Sequence, residues 1–381
     1  MSTETIVKRI NSIDAMRGLV ILLMLLDHVR ERFFLHMQVS DPMLISETSA
    51  SLFWSRFAAH FCAPIFIFLT GLSAWLFAQS RQFDLTQTRQ FLWRRGLFLV
   101  LLEVTLVTFS WMGSYHTIWL QVIWAIGLCM LVLAVCVNWP RWLLLSVGLL
   151  LVGGHNLLTP INLQPGQWSY SLWTILHDRG WLLTDAAVNI KVSYPVLPWI
   201  GVILLGYAAG PLYAKQQPAA QRLRWLLWLG IGCLLAFALL RGGNLYGETL
   251  PWQMMDSVAQ TLMSVFNVTK YPPSLNFLLV TLGVMFIALA LLEKYNSRLN
   301  NYLSIYGGAP MFFYLLHLYL LLALYQLALA YFGANKGDYF GVDSMAQVWL
   351  ISALLAFALY WPTRGFAQYK RASRQAWIKY L

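Results

Sequence analysis

The sequence predicts an all-α integral membrane protein of about ten transmembrane helices, and three observations lead there. Hydrophobic residues fill 59% of the 381 positions and charged residues only 11%, less than half of the ~25% usual for a soluble domain. Apolar runs able to cross ~30 Å of hydrocarbon recur along the whole chain. The short segments between them hold most of the Lys and Arg residues, the pattern that orients membrane helices. No soluble module interrupts the runs. Residues 10–365 therefore read as a single transmembrane domain, and 366–381 as a basic cytoplasmic tail.

The elements follow in order. Residues 15–35 form the first span; Asp27 and His28 inside it are residues a signal-peptide core would avoid, so it reads as a retained helix. The second, 52–79, contains Pro64. Segment 82–95 reads as an interfacial helix, with Trp93 near the head groups, leading into the third span at 96–113. Then come 117–138 and 141–157, the latter short enough to be tilted or re-entrant, followed by 196–214 and 223–241. Pro272 and Pro273 fix an extended entry to the eighth, 274–293. Tyr306-Gly307-Gly308-Ala309-Pro310 opens the ninth, 302–331, and 346–363 is the tenth.

With the N-terminus in the cytoplasm, eighteen of the 26 Lys and Arg residues fall on that side, among them Lys8, Arg9, Arg17, Arg89, Arg94, Arg95, Arg374 and Lys379. Eight fall outside: Arg30, Arg32, Arg56, Arg179, Lys191, Arg241, Lys270 and Lys336. The bias predicts a multi-pass protein of the plasma (inner) membrane with both termini cytoplasmic. The +11 net charge then points to anionic lipid head groups and a phosphate-bearing cofactor, and away from nucleic acid. The four cysteines lie in apolar runs without metal-like spacing, so no metal is expected. Two external segments, 158–195 and 242–273, are long enough to serve as lids or binding walls.

Ionisable residues deep in such a bundle are functional candidates by default. In the first span Arg17 and His28 lie eleven residues apart, close to three helical turns, so both project from nearly one face about 16 Å apart. Arg17 sits at the cytoplasmic interface; His28 lies well inside the bilayer beside Asp27. His60 enters the second span one turn before Pro64, where a freed carbonyl suits a cavity wall. Arg89, Arg94 and Arg95 form a basic mouth able to bind anions. Glu103, further along that helix, is a buried carboxylate in need of a partner or a proton. Tyr314 and His317 lie one turn apart in the ninth span, and Lys270 and Tyr271 precede the eighth. For each residue a plain structural role is the competing reading: a helix–helix hydrogen bond for the histidines, an interfacial anchor for the arginines.

Together these residues resemble a family. Arg17, ten residues and His28 resemble the R-x10-H signature of the acyltransferase-three membrane enzymes, and His60-Phe-Cys-Ala-Pro-Ile-Phe-Ile-Phe-Leu-Thr-Gly resembles their second-helix pattern. Asn11-Ser-Ile-Asp-Ala-Met-Arg-Gly, Thr269-Lys-Tyr-Pro-Pro-Ser-Leu and the Gly-Ala-Pro to His317 stretch look closer still to the bacterial relatives of heparan-alpha-glucosaminide N-acetyltransferase. The resemblance implies a transmembrane acyltransferase bundle that takes an acetyl group from cytoplasmic acetyl-CoA and passes it to a glycan or lipid-linked sugar on the other side. It implies Arg17, Arg89, Arg94 and Arg95 at the CoA phosphates, and His28, Asp27, His60 and His317 at the chemistry. Glu103, Lys270, Tyr271 and Tyr314 are then substrate contacts. A neutral imidazole suits the general base of acyl transfer, with Asp27 expected to orient it or stabilise its protonated form. One departure stands out: the lysosomal enzyme carries asparagine at the position matching His28, so His28 rests on the acyltransferase-three pattern, and O- and N-acylation both stay open. The nearest other histidine is His36.

Membrane lipids are obligatory partners, and a homodimer is compatible with such a bundle. Two rival classes remain at this point. A transporter or flippase for a sugar-linked or acylated lipid would use the same residues as a proton relay, and a haem or quinone protein would pair His28 with His317.

Overall fold

A computed structural model describes residues 10–295, 297–373, 375 and 377–380. Lys8, Arg9, Arg374 and the chain ends, on which part of the expected orientation rests, lie outside the described residues. In chain order the helices are α1 (Asn11–Phe33), α2 (Ala50–Ala59), α3 (Cys62–Ser80), α4 (Leu85–Leu102) and α5 (Thr108–Met112), the last two joined by a π-helical stretch, Glu103–Val107. Next are α6 (Val122–Cys136), α7 (Arg141–Gly154), α8 (Tyr170–Leu176), α9 (Leu197–Ala208), α10 (Ala219–Gly242) and α11 (Val258–Phe266). The chain continues with α12 (Leu275–Lys294), α13 (Arg298–Gly308), α14 (Pro310–Phe332) and α15 (Met345–Ala372).

The protein is a helical membrane protein, as predicted. Among the described residues seven helices are long and apolar enough to cross a membrane, fewer than the ten spans expected. The other three expected spans are accounted for physically. α6 and the α9 region are apolar but short. α1 has the length, yet carries Asp14, Arg17, Asp27, Arg30, Glu31 and Arg32, and it tolerates them because other helices surround it. The layering follows the same logic: the apolar stretch of α10 buries only 17% of its residues inside the protein, that of α12 61%. α10 therefore turns most of its surface to lipid, and α12 belongs to the interior.

Small residues set the helix crossings, as is usual where lipid removes the hydrophobic drive for association. A Cβ on Gly18 would lie 1.9 Å from Leu303 O, and one on Gly307 1.9 Å from Asp14 O. Only paired glycines let α1 and α13 cross that closely. Gly71 and Gly206 do the same for α3 and α9.

Three local departures from expectation have clear causes. α4 starts at Leu85, capped by the Asp84 side chain, and no separate interfacial helix precedes the span. The α2–α3 boundary falls at His60 and Phe61 because Pro64 cannot donate to the His60 carbonyl. α15 continues to Ala372, past the 346–363 expected for the tenth span, and a final turn, Trp377–Tyr380, follows.

The two long segments, 158–195 and 242–273, are structured. β1 (Thr117–Leu120) pairs parallel with β3 (Asn189–Val192), and β2 (Gly180–Leu183) pairs antiparallel with β3. The buried Arg241 ties down the second segment by donating to the carbonyls of Leu250, Ser264, Val265 and Asn267. Asn267 in turn exchanges hydrogen bonds with the backbone of Met43, 2.9 and 2.8 Å.

Candidate active site

Helical spacing puts Arg17, Met24 and His28 on one face of α1. Arg17 is held by Asp14 (Nη1 to Oδ1 2.9 Å) and by the Ser73 hydroxyl on α3. It lines a cavity of about 830 Å3 whose wall also includes Arg95, Lys370 and Tyr380. Met24, Phe66, Leu99 and Ile123 supply apolar wall, and Tyr314 lines it too. Arg89 and Arg94 are exposed and do not line it. Of the three arginines expected at a basic mouth, the fold brings one into the cavity.

One turn beyond Met24, His28 meets α14. Its Nδ1 lies 2.7 Å from Nε2 of His317, and the rings are nearly parallel with centroids 5.0 Å apart. The protons can be assigned from this geometry. His317 Nδ1 lies 2.8 Å from the Phe313 carbonyl, which only accepts, so the hydrogen is on Nδ1. The Nε2 of neutral His317 is therefore an acceptor, and His28 must donate from Nδ1. That leaves the lone pair of His28 on Nε2, the tautomer a general base requires. The 2.7 Å separation is that of a hydrogen bond; iron between two imidazoles would hold its nitrogens about 4 Å apart. Trp111 packs edge-on to His28 at 4.9 Å and Tyr314 at 6.0 Å. Trp111 follows the π-helical stretch, and one inserted residue turns everything after it by about 100°.

Asp27 makes no hydrogen bond to His28 among the described residues. Its Oδ2 accepts from Arg56 (2.8 Å), and its Oδ1 accepts from Arg30 (3.0 Å from Nε). The ring nitrogen within hydrogen-bond distance of His28 belongs to His317. His60 is buried beside Phe57 and Phe277, with neither ring nitrogen hydrogen-bonded among the described residues. Lys270 and Tyr271 reach this region because Asp41 accepts from both of their backbone N–H groups (3.0 and 2.9 Å). Burial pushes the Asp41 carboxyl up from its ordinary range, against the opposing pull of Arg56 and Lys270. The Lys270 ammonium lies 5.1 Å from the Tyr271 ring centre and 6.0 Å from that of Tyr194. Tyr271 donates its hydroxyl to Tyr194, and Arg179 stacks on its ring at 4.5 Å.

Glu103 sits elsewhere, fully buried. Its Oε2 accepts from the Trp124 backbone N–H at 2.9 Å. It thus caps α6, whose own N-terminal residue provides no side-chain cap. His36 lies outside the site, its ring against Phe34. Sequence reasoning did not foresee the roles of Arg30, Arg56, Asp41, Trp111, Tyr194 or Lys370. Their partners are remote in sequence, and only the depth of a charge in an apolar run hints at such residues.

The family model for the catalytic region of heparan-alpha-glucosaminide N-acetyltransferase matches residues 9–241, more than half of the chain. The chain belongs to that family. It is accordingly a membrane acetyltransferase. The match takes in Arg17, Asp27, His28, His60, Arg95 and Glu103, while Lys270, Tyr271, Tyr314 and His317 lie beyond it. No curated protein matches.

Proposed function

We infer that the protein takes an acetyl group from acetyl-CoA on the cytoplasmic side of the plasma (inner) membrane and passes it to a hydroxyl or amine of a glycan or lipid-linked sugar on the other side, both termini being cytoplasmic. The observation carrying this reading is the cavity with Arg17 and Arg95 in its wall and Tyr314 beside the His28–His317 pair. The rise of an α-helix separates Arg17 from His28 by about 16 Å, a span suited to an extended pantetheine arm.

In this reading Arg17, Arg95 and Lys370 meet the CoA phosphates, with Arg89 and Arg94 adding to the positive field around the mouth. The arm lies along Met24, Phe66 and Leu99. The acceptor oxygen or nitrogen attacks the thioester carbonyl carbon while Nε2 of His28 takes its proton. The carbon–sulfur bond then breaks, and the proton passes from the His28 imidazolium to the departing thiolate. His317 holds the tautomer. Asp27 with Arg56, together with His60, Lys270 and Tyr271, forms the acceptor compartment, and Glu103 shapes the donor wall by fixing the start of α6.

The test is label transfer by protein in nanodiscs, using acetyl-labelled CoA and a cell-envelope extract as acceptor. The wild type releases free CoA and moves label to envelope material; His28→Ala binds acetyl-CoA but does neither. Near-normal turnover by His28→Ala removes the base assignment. Acetyl-CoA binding without CoA release under any acceptor would favour a transporter instead.

A further inference from the structure

Beside the base stands a buried donor with no acceptor. Trp111 packs against the His28 ring with centroids 4.9 Å apart, and its indole N–H has no hydrogen-bond partner among the described residues. It interacts with the Tyr314 hydroxyl without reaching the geometry of a hydrogen bond. Trp119 and Trp199 also bury unpartnered N–H groups, but neither packs against the base. An N–H left bare in an apolar interior is costly, and such exceptions mark places where an acceptor arrives from outside the chain. Two devices fix the indole there. The π-helical stretch Glu103–Val107 adds a residue to the helix, and the Thr108 hydroxyl donates to the Glu103 carbonyl (2.8 Å). A regular helix would carry Trp111 about 100° away from His28. Arg32, one turn past His28 on α1, lays its guanidinium 5.5 Å from the indole ring centre and donates to the Ser110 carbonyl (2.9 Å). Tyr314, its ring 6.0 Å from that of His28, lines the cavity that Arg17 enters.

Resting on the acetyl-transfer reading, we propose that the Trp111 Nε1–H and the Tyr314 hydroxyl are two further catalytic groups, which together form the oxyanion hole of the reaction. As the acceptor oxygen or nitrogen bonds to the thioester carbon, the carbonyl π pair moves onto its oxygen, and the two donors stabilise that negative charge. Nε2 of His28 takes the acceptor's proton. The pair then returns to re-form the carbonyl, the carbon–sulfur bond breaks, and the departing thiolate collects the proton from His28. Donors held in advance where charge develops need no rearrangement, and they favour the transition state over the bound thioester. Trp111 lacks a partner within the chain because its acceptor arrives with the acetyl group.

The experiment measures CoA release by full-length protein in nanodiscs for the wild type, Tyr314→Phe and Trp111→3-benzothienylalanine, an isostere with sulfur in place of the indole N–H. Loss of either donor should lower kcat about 10²–10³-fold, with the KM for acetyl-CoA nearly unchanged. A second readout needs no turnover. In a His28→Ala background, the carbonyl stretch of bound acetyl-CoA, labelled with carbon-13 at the carbonyl, is read by difference infrared spectroscopy. It should lie at lower wavenumber with Trp111 than with the isostere, because a hydrogen bond weakens the C=O bond. An indole that only packs would leave both readouts unmoved. Wild-type kcat in either variant overturns the proposal, and so does a carbonyl stretch that is the same with and without the N–H. Absence of CoA release by the wild type would instead strike the acetyl-transfer reading, and the infrared comparison would still report whether the N–H meets the carbonyl.

Discussion

The hydrogen bond from His28 Nδ1 to His317 Nε2, 2.7 Å long, gives His317 a role that can be measured. Replacing His317 with Leu removes the acceptor that holds His28 with its lone pair on Nε2. The direct loss is one buried hydrogen bond, ~0.5–1.5 kcal/mol, equivalent to about a twofold to tenfold fall in rate. A larger loss follows if the imidazole then adopts the other tautomer, and its ceiling is the whole general-base contribution, roughly 10²–10⁴. We expect kcat to fall by about tenfold to a hundredfold with little change in the acetyl-CoA concentration needed for saturation. His317→Gln, whose amide oxygen can still accept from Nδ1, should recover part of the loss. The assay is CoA release detected by thiol titration in nanodiscs. His28→Ala combined with His317→Leu should be no slower than His28→Ala alone, because residues acting as a unit are not additive. Additive effects, or a His317→Leu variant at wild-type kcat, would refute the dyad.

Arg17→Gln should raise the KM for acetyl-CoA about tenfold at nearly constant kcat, the loss of a charge-assisted contact to phosphate; a titration of acetyl-CoA decides it. Gly18→Ala drives a methyl group to 1.9 Å from Leu303 O and should cost ~1–3 kcal/mol, lowering the melting temperature in a thermal-shift measurement. Gly232→Ala, which meets nothing within 4 Å, should not. His36, in the loop after α1, is held below its ordinary value of 6.5, first by burial and then by Lys336. Its folded state therefore binds a proton less readily than the unfolded chain, so stability is unaffected above pH 6.5 and declines as pH falls below it, down to the folded pKa. His36→Phe should flatten that decline in melting temperature between pH 7 and 5.

Much of this arrangement was legible in the chain, for physical reasons. Arg17 and His28 share a helix, and helical period alone places them on one face with a known separation. Pro64 announces the break at His60 because a missing N–H has a fixed address four residues back. The partners were not legible. Asp27 could choose between His28 next to it and Arg56, 29 residues away, and nothing local expresses that choice. The same holds for Glu103: a buried carboxylate must find a donor, but the start of α6, 21 residues on, is its partner only because Gly96 and Gly127 bring α4 and α6 together. Seven helices meet a simple test of length and apolarity because charges inside α1 and the shortness of α6 become acceptable only once neighbouring helices cover them.

Transfer of a group and transport of a molecule make opposite demands on the middle of a membrane. A transporter needs its central site to open toward each side in turn. The cavity lined by Arg17 and Arg95 includes none of Asp27, Arg56 or Lys270 in its wall. Trp111, Tyr314 and His317 are all packed against the His28 ring, and Tyr314 also lines that cavity. A packed wall carrying a base fits an acyl group that changes carriers across it, while CoA and the acceptor each stay on their own side. The acetyl carbonyl need move no further than the length of the bond being made, so no rocking of helices is required, and the tight glycine crossings of α1 with α13 and of α3 with α9 are an advantage in such a design.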